Sequence, residues 1–156
     1  MAAPVFPNSF KPEKEARGCT EFSVEERGVR YRLSLARPAD CAAYRVDGGV
    51  IDEPGVPRCD KLVCVSMRSV VSHAVFVELK GSDFEHAVKQ LESTMSHGLF
   101  KGFAPRRALA RIVSRRVPSN AGNSCLEKAK ARFRSKLKCE LKVVRHGATD
   151  KIDNTE

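Results

Sequence analysis

Two apolar runs, KLVCVSM at Lys61–Met67 and SHAVFVELK at Ser72–Lys80, flank a short loop at Arg68–Ser69. Each reads as a strand, and the two together read as a hairpin. Neither run shows the polar alternation of a strand with one wet face, so both are expected in the centre of a sheet, covered on both sides. Around this hairpin the other elements fall into place. Val29, Tyr31, Leu33 and Leu35 alternate with Arg30, Arg32 and Ser34, a period of two that predicts a half-buried strand closed by Pro38. Tyr44–Ile51 is a weaker strand, in which Gly48 and Gly49 suggest a bulge or a close backbone approach. Asp52–Arg58, with Pro54, Gly55 and Pro57, predicts a turn.

After the hairpin, Ser82 and Glu85 form an S-x-x-E capping pattern. Phe84, Ala87, Val88, Leu91 and Met95 have helical spacing, so a helix is predicted over 83–97, with Gly98 as its stop. Arg106–Arg116 reads as a strand with basic ends, Ser124–Lys138 as an amphipathic basic helix and Cys139–Val144 as a last strand. The order of elements predicts an α/β domain, with a central mixed sheet flanked by helices. At 156 residues the expectation is one domain over 21–146. A flexible segment is expected at 1–20, with a short helix near Glu13–Arg17, and a polar frayed tail at 147–156.

No apolar run approaches the roughly 18 residues of a membrane span, and the first residues lack the pattern of a secretion signal. A cytoplasmic protein is therefore expected, with no membrane partner. The six cysteines contain no C-x-x-C pair and read as reduced structural thiols. Nucleotide-binding glycine loops, G-x-S-x-G and H-E-x-x-H are absent, which disfavours cofactor oxidoreductases, serine hydrolases and zincins.

The net charge of +9 is unevenly placed. Lys101–Arg145 holds 14 basic residues and 2 acidic ones, a local +12, and the rest of the chain carries −3. Such asymmetry suits a polyanion, and nucleic acid fits best. Arg106, Arg107, Arg111, Arg115 and Arg116, with Lys128, Arg132 and Lys136 of the basic helix, are the candidate phosphate contacts.

The chemistry is expected at one end of the hairpin. Asp60 opens the third strand, and Glu78 and Lys80 close the fourth. Residues two apart in a strand share a face, so Glu78 and Lys80 point the same way. If the strands pair, Asp60 falls beside Glu78. Two carboxylates and a backbone carbonyl make a hard oxygen site suited to Mg²⁺ or Mn²⁺, and a neighbouring lysine can orient a water.

Asp60 after Pro57, an apolar strand, V-E-L-K-G and then Gln90 in a capped helix resemble the PD-(D/E)XK nuclease superfamily, over about residues 29–113. The resemblance implies a restriction-endonuclease-like fold and a divalent-metal-dependent endonuclease acting on DNA, or on RNA, in defence, restriction or repair. It implies that Asp60, Glu78 and the carbonyl of Leu79 bind Mg²⁺ or Mn²⁺, that Lys80 positions the water and that Gln90 supports the site. An upstream acid completes many such sites. Glu13, Glu15, Glu21, Glu25 and Glu26 are candidates, with Glu26 preferred as nearest the first strand and Asp47 as a rival. The pattern departs from the family in two ways: Arg58 and Cys59 split the Pro–Asp step, and 18 residues separate Asp60 from Glu78. A homodimer or a partner chain is expected to complete so small a nuclease. The alternative is a non-catalytic nucleic-acid-binding or scaffold subunit that keeps the fold.

Overall fold

The computed structural model describes residues 6–79, 83–116 and 124–155. Its elements are β1 (Lys14–Glu26), β2 (Val29–Arg45), β3 (Lys61–Met67), β4 (Val70–Leu79), α1 (Phe84–Met95), β5 (Arg107–Ser114), α2 (Ser124–Arg132), β6 (Cys139–Arg145) and β7 (Thr149–Ile152). They form a mixed α/β structure around a seven-stranded mixed sheet. The strand order is β1-β2-β3-β4-β5-β6, with β7 pairing β2 off that path. β1 to β4 run antiparallel in succession, whereas β4, β5 and β6 are parallel neighbours.

The hairpin follows from its apolar runs. β3 and β4 are buried on both faces, and their residues alternate between two cores. Leu62, Cys64, Ala74 and Phe76 face one core with Ala110 and Ile112, and α1, α2 and the turn after α2 cover it with Ala87, Val88, Leu91, Ala129 and Phe133. Val63, Val65, Val75 and Val77 face the other core, where they meet Phe22, Val24, Tyr31, Leu33 and Leu35 of β1 and β2.

The first two strands therefore fold across a face of the sheet they belong to. Nine residues of straight strand span about 30 Å, yet Lys14 Nζ donates to Ser23 O at 2.6 Å. β1 bends where its register with β2 shifts between Ala16 and Glu21, and Gly18 takes a φ of 59° there. β2 turns at 36–38. It pairs with β7 as far as Leu35 and with β3 from Asp40 onward. Pro38, which has no N–H to give to a ladder, sits in this gap and does not end the strand.

Several expectations are corrected. Glu13–Arg17 is not a helix, since β1 starts at Lys14. The tail does not fray throughout, because Thr149–Ile152 joins the sheet. The strand predicted at Tyr44–Ile51 ends at Arg45 and gives way to a tight turn. A Cβ on Gly49 would lie 2.3 Å from Arg45 O, so the close approach there demands glycine. α1 is capped by Asp83, whose carboxylate accepts from His86 N–H; Ser82 lies outside the described residues. The basic helix ends in a π-helical turn at Phe133–Leu137. All six cysteines are free thiols.

Candidate functional site

The register that pairs Lys61 with Val77 puts Asp60 across from Glu78, and Asp60 N–H donates to Val77 O at 3.1 Å. By strand alternation both carboxyls share the face of Leu62 and Phe76, at the edge where β4 and β5 end. Asp60 Oδ2 accepts from Leu79 N–H at 2.7 Å, which fixes the carboxylate against the end of β4. Glu78 is only 8% exposed, and its Oε1 is buried without a hydrogen-bond donor. Burial pushes Glu78 up to about 9, and the charge of Asp60 beside it adds to the shift. Burial likewise raises Asp60 to about 6, against the opposing pull of the Leu79 N–H.

The charges of two upstream acids reach this pair. Glu26, at the tip of the β1–β2 hairpin, raises Asp60 and Glu78, and Asp47 raises Glu78 as well. The bends in β1 and β2 bring Glu26 here. Arg115 holds the tip by donating to Gly28 O at 2.8 Å, and Arg30 N–H donates to His146 Nδ1 at 3.0 Å. Asp47 pairs with Arg58 at 2.6 Å. Glu13 instead pairs with Lys61 at 2.6 Å. Lys80 lies outside the described residues.

Gln90 sits one step back from the carboxyls. Its Nε2 donates to Arg58 O at 3.0 Å, two residues before Asp60. Sequence reasoning missed Thr94, which completes this brace: its hydroxyl accepts from Cys59 N–H and donates to Gln90 O, both at 2.8 Å. The i, i+4 spacing of Gln90 and Thr94 on one helix face was the available signal.

The predicted phosphate contacts separate. Arg115 and Arg116 are exposed and leave β5 at the carboxylate edge, and Arg106 and Arg107 are exposed at the opposite edge. Lys128 and Lys136 are exposed on the helical layer, and Arg132 pairs with Glu92 of α1. Arg111 is corrected. It is 3% exposed, bonds Asp150 at 2.7 Å and Glu140 at 2.9 Å, and has no surface from which to meet a phosphate.

Among the described residues, no group of three or more His, Cys, Asp or Glu is gathered to hold a metal ion. The chemistry of the pair nevertheless fits a divalent cation. Burial raises both carboxyls, the charge of Asp60 raises Glu78 further, and the buried Glu78 Oε1 has no donor. A hard cation would relieve these features. No family model, curated protein or solved structure matches the chain.

Proposed function

We propose that this chain is a divalent-metal-dependent nuclease of the restriction-endonuclease-like kind, hydrolysing phosphodiester bonds in DNA. The observation that carries the reading is the facing pair Asp60 and Glu78 at one sheet edge, with the unpartnered Glu78 oxygen and with the charges of Glu26 and Asp47 near enough to raise Glu78. The antiparallel run β2-β3-β4, followed by α1 and a parallel β5, supports the same reading, since the superfamily places its acid and its E-x-K on adjacent strands of a mixed sheet.

Asp60, Glu78, the Leu79 carbonyl and Glu26 or Asp47 would hold Mg²⁺ or Mn²⁺, which supplies Lewis acidity toward a phosphate oxygen and a more acidic bound water. The protein's own residues do the positioning. Gln90 and Thr94 brace the loop that carries Asp60, and the Leu79 N–H orients the Asp60 carboxylate. Lys80 is the residue proposed to position the water. Arg115 and Arg116 lie at the edge where a phosphate backbone would pass. A homodimer or a partner chain would extend this short surface.

The second reading is a non-catalytic nucleic-acid-binding subunit on the same fold. The lack of three gathered ligands among the described residues favours it. The two part in one assay. Supercoiled plasmid, linear duplex, single-stranded DNA and RNA are incubated with Mg²⁺, Mn²⁺ or EDTA. Metal-dependent cutting is expected, reduced by two or more orders of magnitude in Glu78→Gln and Lys80→Ala. Binding without cutting in any metal would select the second reading.

A further inference from the structure

The far end of the β3–β4 hairpin is strained. Arg68 and Ser69 form its turn, and both take left-handed backbone, with φ of 51° and 64°. Two-residue turns of this kind favour Asn and Gly. Holding residues other than Asn or Gly there costs on the order of 1 kcal/mol or more each, and strain of this sort clusters where a residue must be presented to a ligand.

This turn presents Arg68 to a cavity of about 360 Å³. Arg37 of β2 and Arg106, just before β5, line the same cavity. Met67 and Val70 supply an apolar wall, and Val70 is 55% exposed. Ser72 adds a hydroxyl. No carboxylate lines the cavity among the described residues. The nearby Asp153 accepts from the Thr155 N–H and hydroxyl, and its acidity is increased first by those bonds and then by Arg107 and Arg37.

Arg37 is preset. Its N–H donates to Asn154 Oδ1 at 2.8 Å, and its carbonyl accepts from Asn154 Nδ2 at 3.0 Å. Asn154 is fully buried, so the backbone of Arg37 is fixed before any ligand arrives. Arg37 and Arg68 bring two guanidinium groups to one cavity, and an oxyanion between them offsets their like charge. The fork of a guanidinium also matches phosphate oxygens, which a lysine does not.

We propose that Arg37 and Arg68 form a binding site for a phosphate group. The eight-residue step from Val70 to Glu78 covers roughly 26 Å of strand. The site is thus remote from Asp60 and Glu78, and the proposal stands whether or not the chain cuts nucleic acid. A small phosphate ester and the terminal phosphate of a polynucleotide both carry the group.

The test is binding by the full chain in EDTA. Inorganic phosphate is titrated calorimetrically, and fluorescein-labelled dodecanucleotides with a 5′-phosphate or a 5′-hydroxyl are followed by anisotropy. Saturable phosphate binding is expected, weakened about tenfold by Arg68→Gln and by Arg37→Gln. Lys89→Gln, an equal loss of charge on α1, leaves it unchanged. Arg68→Lys keeps the charge, loses the fork and binds nearly as poorly as Arg68→Gln. A tighter 5′-phosphorylated oligonucleotide, with its advantage erased in Arg68→Gln, assigns the source to a polynucleotide end. Equal oligonucleotides with saturable inorganic phosphate assign it to small esters. No saturable phosphate binding, or equal binding by the wild type, Arg68→Gln and Arg37→Gln, overturns the proposal.

Discussion

Glu78 is a carboxyl that folding takes out of water and sets beside another carboxyl. Its pKa is raised to about 9, so at neutral pH the folded chain holds a proton that the unfolded chain releases. The stability this lends is fully present below the ordinary glutamate pKa and is lost as pH climbs through about 9. Asp60 adds a smaller loss centred on the interval up to about 6. Glu78→Gln keeps the shape and removes the titration. At pH 8 it is expected to melt above the wild type by about 2–4 °C for each kcal/mol relieved in a chain of this length, and at pH 5 the two melt together. Thermal scans at the two pH values check this; a gap that is the same at both would remove the coupling. A cation that occupies the pair displaces the proton, so Mg²⁺ is expected to raise the melting temperature of the wild type at pH 8 and to leave Glu78→Gln unmoved.

β7 shows what an element of four residues contributes. Asp150, 1% exposed, accepts from the Tyr31 hydroxyl at 2.5 Å and from Arg111 Nε at 2.7 Å, with Lys142 at 3.5 Å from its other oxygen. The network joins β2, β5, β6 and β7. Arg111→Met leaves the Asp150 charge buried beside Tyr31 and is expected to cost about 3–5 kcal/mol, whereas adding Asp150→Asn returns much of it. Denaturant titration of the single and double variants measures this. Neither β7 nor β1 was legible in the sequence. TDKI reads as a polar tail until Tyr31 and Arg111 are known to wait for its aspartate. The charges of KEARGCTEFSVEE lie mostly exposed, so the run has no apolar period strong enough to mark a strand. The hairpin was legible because continuous burial leaves its own signature in Lys61–Met67 and Ser72–Lys80, and the Asp60–Glu78 juxtaposition followed from that register. The approach of Glu26 was not, since it depends on two bends, at Gly18 and at 36–38, that no local pattern announces.

Across the whole molecule the excess positive charge is divided between two sheet edges and the helical layer. Arg115 and Arg116 stand at one edge, Arg106 and Arg107 some 26 Å away by strand rise at the other, with Lys128 and Lys136 on the helices. A binder that tracks a backbone with such groups releases counterions, and affinity falls with salt by roughly one log unit per log unit for each phosphate neutralised. Arg116→Gln and Lys128→Gln are each expected to lower that slope by about one. The buried Arg111 takes no part in it. Anisotropy of a labelled duplex between 50 and 200 mM salt, a range over which such slopes are resolved, reads the effect; an unchanged slope in both variants would detach these residues from the proposed nucleic-acid contact.

The parallel ladder between β2 and β7 joins Arg32–Leu35 to Thr149–Ile152. Strand pairing of this kind has no local nucleus, and more than a hundred residues of intervening chain must be closed before it forms. On the ribosome, β2 must therefore wait for β7, which is synthesised more than a hundred residues later. Until then Tyr31, Leu33 and Leu35 lack the neighbour that completes their layer, and a chaperone would find its opening there.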